Sequence, residues 1–307
     1  VANASSNRHD FIDAKIVARL TGQGLHARMP MLGNISGRHR SPIKGASLEF
    51  AEYRKYVPGD DLRRMDWRAW GRSDRFYIRE FEADTNLRLC LIVDTSGSLD
   101  FSNGGITKLR LMQSLAGTLA YVASKQGDAV GLYCAGKGFH TEIRPRRNVS
   151  HLRLVLDQLA GLRAEGETGL AEALHQAAEG IQQRALVAVF SDLFINPESL
   201  RKCFQHLKFR KHDVAMFHLL DRSEIDFDFD RPMRFLDMEG GDPIMADPSL
   251  MARQYRAAVK DYMVAVEGIM REAAVDYQRV NLDDSVAEVL ARLLKGRQVK
   301  HKGGRRR

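Results

Sequence analysis

Asp94, Ser96 and Ser98 stand at alternate positions directly after the apolar run Leu87-Arg88-Leu89-Cys90-Leu91-Ile92-Val93, so a carboxylate and two hydroxyls leave the end of an expected buried strand together. That set suits a divalent cation. Magnesium takes about six hard oxygens in octahedral array at roughly 2.0–2.1 Å, so one D-x-S-x-S loop cannot satisfy it alone. Gly97 is expected to permit the sharp backbone path that turns Ser96 and Ser98 inward, with Asp94 binding directly or through water. Further oxygens are expected from Thr168, in Gly166-Glu167-Thr168-Gly169 just before the amphipathic stretch Leu170 to Ile181, and from Asp192, just after the apolar run Ala185 to Phe190. Ser and Asp in such a pattern also serve as ordinary helix caps and turn residues. The placement of all three pieces at element ends is what favours the cation.

The elements that must hold these residues alternate from residue 87 onward. After the first strand, helical periodicity over Lys108 to Gln126 is followed by strands at 129–134 and 139–143 and a helix over Val149 to Leu162. The helix from Leu170 and the strand from Ala185 come next, then a helix near Glu198 to Leu207 entered through Asn196-Pro197, and a strand over Val214 to Leu220. A short strand at Arg234 to Met238, a helix from about Pro248 to Ala274, a strand at 277–280 and a last helix from Asp284 to Lys295 complete the pattern. Alternation of this kind implies right-handed crossovers and an α/β fold with a doubly wound, mostly parallel sheet. In such sheets ligands bind beyond the carboxyl ends of the strands, where Asp94 and Asp192 are expected.

In this order the three pieces resemble the metal-ion-dependent adhesion site (MIDAS) of von Willebrand factor A domains, with Asp94, Ser96 and Ser98 matching its first loop, Thr168 its second and Asp192 its third. The resemblance implies a bound Mg2+ or Mn2+ whose sphere is completed by a partner's Asp or Glu. With two carboxylates against two positive charges, the bound site is formally neutral and retains affinity for a further anionic oxygen.

The first 86 residues differ in character. A helix is expected over His9 to Leu20, after which Gly and Pro break up the chain. Pro58-Gly59 suits the centre of a type II turn, and a strand is expected over Arg75 to Phe81. Gly37-Arg38-His39-Arg40-Ser41, Gly45, Glu49-Phe50, Arg54, Tyr56, Pro58-Gly59-Asp60-Asp61, Arg63, Asp66-Trp67 and Gly71-Arg72 together resemble the signature of the family known as domain of unknown function 58. That resemblance implies a von Willebrand factor A-like protein working with a MoxR-type AAA+ ATPase. The mixed charges of the segment suit a network around Trp67 and Trp70 that fixes a small module, or a docking surface. The expected domains are thus an N-terminal module at 1–86, a von Willebrand factor A-like domain at 87–297 and a basic flexible tail at 298–307.

The net charge of +8 is concentrated at the end of the chain. Lys295, Arg297, Lys300, Lys302, Arg305, Arg306 and Arg307 have no acid among them, leaving 40 basic and 39 acidic residues before them. Such a tail could meet nucleic acid electrostatically, but it lacks aromatic interleaving, so no specific nucleic-acid recognition is expected. No stretch reaches the roughly 18–20 apolar residues of a membrane span, and no apolar segment follows the polar start as in a signal peptide. Three isolated cysteines, Cys90, Cys134 and Cys203, argue for buried thiols and a cytoplasmic setting. An Asp after a strand can also be a phosphoryl-accepting nucleophile. That enzymatic alternative is disfavoured because serines stand where a second acid is needed and no Lys or Arg stands beside Asp192 in the sequence. Without G-x-x-x-x-G-K-[ST], ATP turnover would belong to a partner. The expectation is a non-enzymatic, metal-dependent adaptor.

Overall fold

Asp13 accepts a hydrogen bond from the Lys15 backbone N–H and so caps the first helix, α1, Ala14–Thr21. The expected start at His9 falls in the turn before this cap. The computed structural model describes residues 9–26, 49–55, 77–82, 87–102, 104–136, 138–227, 229, 233–235, 238–240, 244–246 and 248–303. Its contacts divide the chain into two units, one of residues 27–87 and one of residues 1–26 and 88–307. Helix α1 is therefore grouped with the larger unit, not with the 1–86 module of the sequence reading. Within the smaller unit, β1, Glu49–Lys55, pairs antiparallel with β2, Tyr77–Glu82, with a register shift between Phe50 and Glu52. The signature positions at 37–45 and 56–72, Trp67 and Trp70 included, lie outside the described residues.

The larger unit follows the expected alternation. Its elements are β3, Arg88–Asp94; a 3₁₀ turn, Gly97–Asp100; α2, Lys108–Lys125; β4, Ala129–Gly136; β5, Gly138–Arg146; α3, Val149–Ala160; α4, Leu170–Gly180; and β6, Leu186–Ser191. Then come α5, Pro197–Phe209; β7, Asp213–Leu220; α6, Arg222–Asp226; β8, Met233–Phe235; β9, Ile244–Ala246; α7, Pro248–Glu272; β10, Asp276–Asn281; and α8, Val286–Gly303. The six-stranded sheet has the order β10-β7-β6-β3-β4-β5, parallel except for β5 against β4. It is a doubly wound α/β sheet, and β8 and β9 form a separate antiparallel pair.

Strand β3 is central because both of its faces are covered. Cys90 and Ile92 belong to a core cluster with Leu174 of α4, Phe204 of α5 and Ile269 of α7. Leu89, Leu91 and Val93 alternate with them and are equally inaccessible, as expected where successive side chains point to opposite faces of a sheet covered on both. Truncating Leu91 to Ala would cost about 2–5 kcal/mol through lost transfer energy and the cavity left behind. The three cysteines are free and buried, and burial pushes the Cys90 and Cys134 thiols up to about 12.

The end of the chain differs from the expected tail. Helix α8 runs on to Gly303, well beyond Lys295. Arg297 is 1% exposed, and its guanidinium donates to Asp213 at 2.7 Å and pairs with Asp276 at 2.9 Å. It is an internal tie between α8 and the strands β7 and β10, not a free tail charge.

Candidate metal centre

Strands β3 and β6 are neighbours, and the chain leaves them in opposite directions along the sheet, to β4 from one and to β7 from the other. Their carboxyl ends define the switch point at which such sheets bind ligands. Asp94 is the last residue of β3, and Asp192 follows the last residue of β6. Thr168 precedes α4 by one turn residue, Gly169. Two backbone bonds lash these segments together: Gly97 N–H donates to Gly166 O at 2.9 Å, and Glu165 N–H donates to Thr95 O at 2.9 Å.

The Asp94 carboxylate is 1% exposed. Its Oδ1 accepts from the Ser96 backbone N–H at 3.0 Å, and its Oδ2 accepts from the Ser191 hydroxyl at 2.7 Å and, at 3.4 Å, from the Thr168 hydroxyl. The Ser96 and Ser98 hydroxyls are 3.0 Å apart. Burial, and then the nearby negative charge of Asp192, raise the Asp94 carboxyl to about 6. A carboxyl held this way is poorly satisfied when ionised, which is the condition a dication relieves.

Asp192, 2% exposed, accepts a hydrogen bond at its Oδ2 from the Lys108 ammonium at 3.0 Å. Lys108 is wholly buried and also donates to Glu224 Oε1 at 2.5 Å. The Phe101 and Phe194 rings lie 5.6 and 5.1 Å from the ammonium. This corrects the sequence argument that no basic residue stands beside Asp192, since Lys108 reaches it from 84 positions away. Behind it the His218 ring bonds the Asp192 carbonyl at 3.0 Å and the Tyr277 hydroxyl at 2.8 Å. The carbonyl can only accept, so Nε2 carries the hydrogen and Nδ1 accepts from Tyr277 in the neutral ring. Burial depresses His218 to about 3.

Gly97 has a different role from the one expected. Its backbone is not among the left-handed glycines. What it permits is close approach, because a Cβ there would collide with the Met238 carbonyl oxygen.

All five predicted residues gather at the carboxyl ends of the central strands β3 and β6, and their donors are two carboxylates and three hydroxyls. Hard oxygens of that kind fit Mg2+ or Mn2+. Among the described residues, no three His, Cys, Asp or Glu side chains form a metal-binding group, so hydroxyl oxygens are needed to complete any such site. Three participants were missed: Ser191, Lys108 and Glu224. Ser191 adjoins Asp192 and could have been read with it. Lys108 is the first residue of α2, where the positive end of the helix dipole disfavours a cation; a lysine placed there signals acids nearby. Glu224 completes a capping box with Asp221 at the start of α6, visible as D-x-x-E.

The family described as "Protein of unknown function DUF58" matches residues 52–265. The uncharacterized protein Rv1480 of Mycobacterium tuberculosis is 28% identical over 260 residues, covering 82% of this chain and 80% of its own. The uncharacterized protein Mb1516 of Mycobacterium bovis matches with the same figures. Similar solved structures include the conserved hypothetical protein BatB from Bacteroides thetaiotaomicron, with 14% identity, a TM-score of 0.45, and coverage of 69% of this chain and 98% of that one. The SpRpn10 VWA domain matches with 11% identity, a TM-score of 0.40, and coverage of 67% and 94%. Among the described residues, no helix is long and apolar enough to cross a membrane.

Proposed function

We propose, from the premise that this chain belongs to the DUF58 family, that it is a non-enzymatic adaptor which captures a protein partner through a divalent cation. Asp94, Ser96, Ser98, Thr168 and Asp192 would hold Mg2+ or Mn2+, and a partner's Asp or Glu would complete the sphere. When bound, the ion supplies positive charge for that carboxylate beside the poorly solvated ends of β3 and β6, where the contact is stronger than in open water. The observation that carries this reading is the Asp94 carboxylate, buried beside Asp192 and surrounded by hydroxyls. The resemblance of the signature residues favours a MoxR-type AAA+ ATPase as the partner, with a client protein presenting the acid, and the three free, buried cysteines favour a cytoplasmic setting.

Lys108 bears on the phosphatase alternative. Its ammonium is bonded to two carboxylates and wholly buried, so its charge is already matched and it does not reach out to a phosphate. This favours binding over hydrolysis. The test is affinity capture from lysate with Mg2+ and with EDTA, followed by mass spectrometry, using wild type, Asp94→Ala and Thr168→Ala. Capture of a MoxR-type ATPase or client should require the ion and be lost in both variants. Capture indifferent to chelator would move the docking face to the mixed-charge segment that carries the family signature, residues 37–72.

A further inference from the structure

A cavity of about 480 Å3 adjoins Asp192, walled by Phe194 and Ile195 after β6, Leu220 at the end of β7, and Tyr255, Val259 and Met263 of α7. Its volume falls within the roughly 300–1,000 Å3 typical of ligand pockets, which are mostly apolar with a few placed polar groups. Here the charged edge is formed by Asp192 and Glu224, both bonded to Lys108. Lys108 thus offsets one of the two negative charges at that edge. The rest of the wall offers apolar contact, with Phe194 at its margin 51% exposed.

The cavity and the cation residues are mechanically joined. Tyr262 on α7 donates its hydroxyl to the Leu193 carbonyl and lies 3.1 Å from the Ile195 carbonyl, so it ties the cavity wall to the loop that carries Asp192. Leu193 itself sits at φ 56°, in the left-handed region that costs a branched side chain free energy and persists only where surrounding contacts enforce it. The cavity wall and the loop that sets Asp192 are thus directly connected.

We infer that this cavity receives a bulky apolar side chain from the same partner segment whose carboxylate completes the cation's sphere. The recognised element is an Asp or Glu accompanied by Leu, Met or Phe. Charge supports this occupant: Asp94, Asp192 and Glu224 are balanced by Lys108 and a dication, and beyond Asp192 and Glu224 the cavity wall carries, among the described residues, no acid for a basic side chain to pair with. The inference rests on the cation reading and deepens it.

The test is methyl and amide NMR of the full chain with 3-phenylpropionate, a carboxylate carrying an aryl group, compared with acetate, each with Mg2+ and with EDTA. In Mg2+ the aryl acid should bind about tenfold more tightly than acetate, the gain expected from burying its ring, and should shift the methyl signals of Ile195, Leu220, Val259 and Met263. Ala258, exposed on α7 at the cavity, is the site for a block. Ala258→Trp should bring the aryl acid's affinity down to that of acetate, and Val259→Asn should reduce the same advantage if the tryptophan variant fails to fold. If Mg2+ shifts the amides of residues 94–98 but the aryl acid binds no better than acetate, the inference fails while the cation reading stands. If Mg2+ moves none of those amides, both fail. A dimer dispersed by Ala258→Trp would assign the cavity to a second copy and overturn the inference.

Discussion

The Lys108 ammonium stands 3.0 Å from the Asp192 carboxylate and is itself wholly inaccessible to solvent. Glu224 holds its other side at 2.5 Å, so one buried cation from the start of α2 serves acids that follow β6 and lie in α6. Removing one partner of a buried charge set leaves the others unpaired, and Lys108→Met should therefore lower stability by about 3–5 kcal/mol. A bound dication would restore part of the missing positive charge, so the loss should be smaller in Mg2+ than in EDTA. Urea unfolding of both proteins under both conditions measures this. Equal losses would separate Lys108 from the cation site.

The Asp94 carboxyl is raised to about 6 from an ordinary 3.8. The folded state therefore binds this proton more tightly than the unfolded state. Its contribution to stability is full below about 4 and is lost as pH rises through about 6. Without cation, Asp94→Asn should be more stable than wild type at pH 8, by on the order of 2 kcal/mol. Cation affinity in the wild type should fall as pH drops through about 6, because the ion competes with the proton. A destabilised Asp94→Asn at pH 8 in EDTA would contradict this account.

The Thr168 hydroxyl donates to Asp94 and accepts from the Leu170 N–H, each at a long 3.4 Å, so both are weak bonds that contribute little to the fold. Thr168→Ala should weaken Mg2+ binding about 10-fold to 100-fold, with Thr168→Ser close to wild type. Thermal unfolding in EDTA should hardly change for either. Calorimetric titration gives the first quantity and circular dichroism the second.

Arg297 and Lys295 lie two positions apart on α8 but in opposite settings, since Arg297 is buried on Asp213 and Asp276 while Lys295 is exposed. Arg297→Leu should cost about 3–5 kcal/mol by stranding two acids, whereas Lys295→Ala should stay within about 0.5 kcal/mol. Urea unfolding distinguishes them. Similar values would mean that the tie between α8 and the sheet carries little stability.

What the sequence made legible was local. The run Leu89–Val93 announces a strand buried on both faces because every residue in it is apolar, and the oxygens that follow are next in the chain. Thr168 and Asp192 could be added because each sits at the boundary of a periodic segment. Lys108 was not legible as a partner of Asp192, since nothing local reports a pairing across 84 positions. The short strand expected at Arg234 to Met238 overlaps β8, Met233–Phe235, whereas its partner β9 spans three residues, too few for a periodicity of two to be distinctive. Helix α8 was stopped early at Gly296, where an interior glycine costs about 1 kcal/mol relative to alanine; the buried Arg297 pairings offset that cost. Gly97 was read for its backbone freedom, whereas its value lies in contact with Met238, a neighbour only the fold supplies.

The central claim is that side chains from three distant segments share one cation. Titration of Mn2+ into the full chain, followed by the electron paramagnetic resonance of the free ion, tests it most directly. The account predicts one site in the wild type, displaced by Mg2+ and lost in Asp94→Ala and Asp192→Ala while both variants remain folded. Mn2+ uptake that is absent from the wild type, or that survives both substitutions, would contradict it.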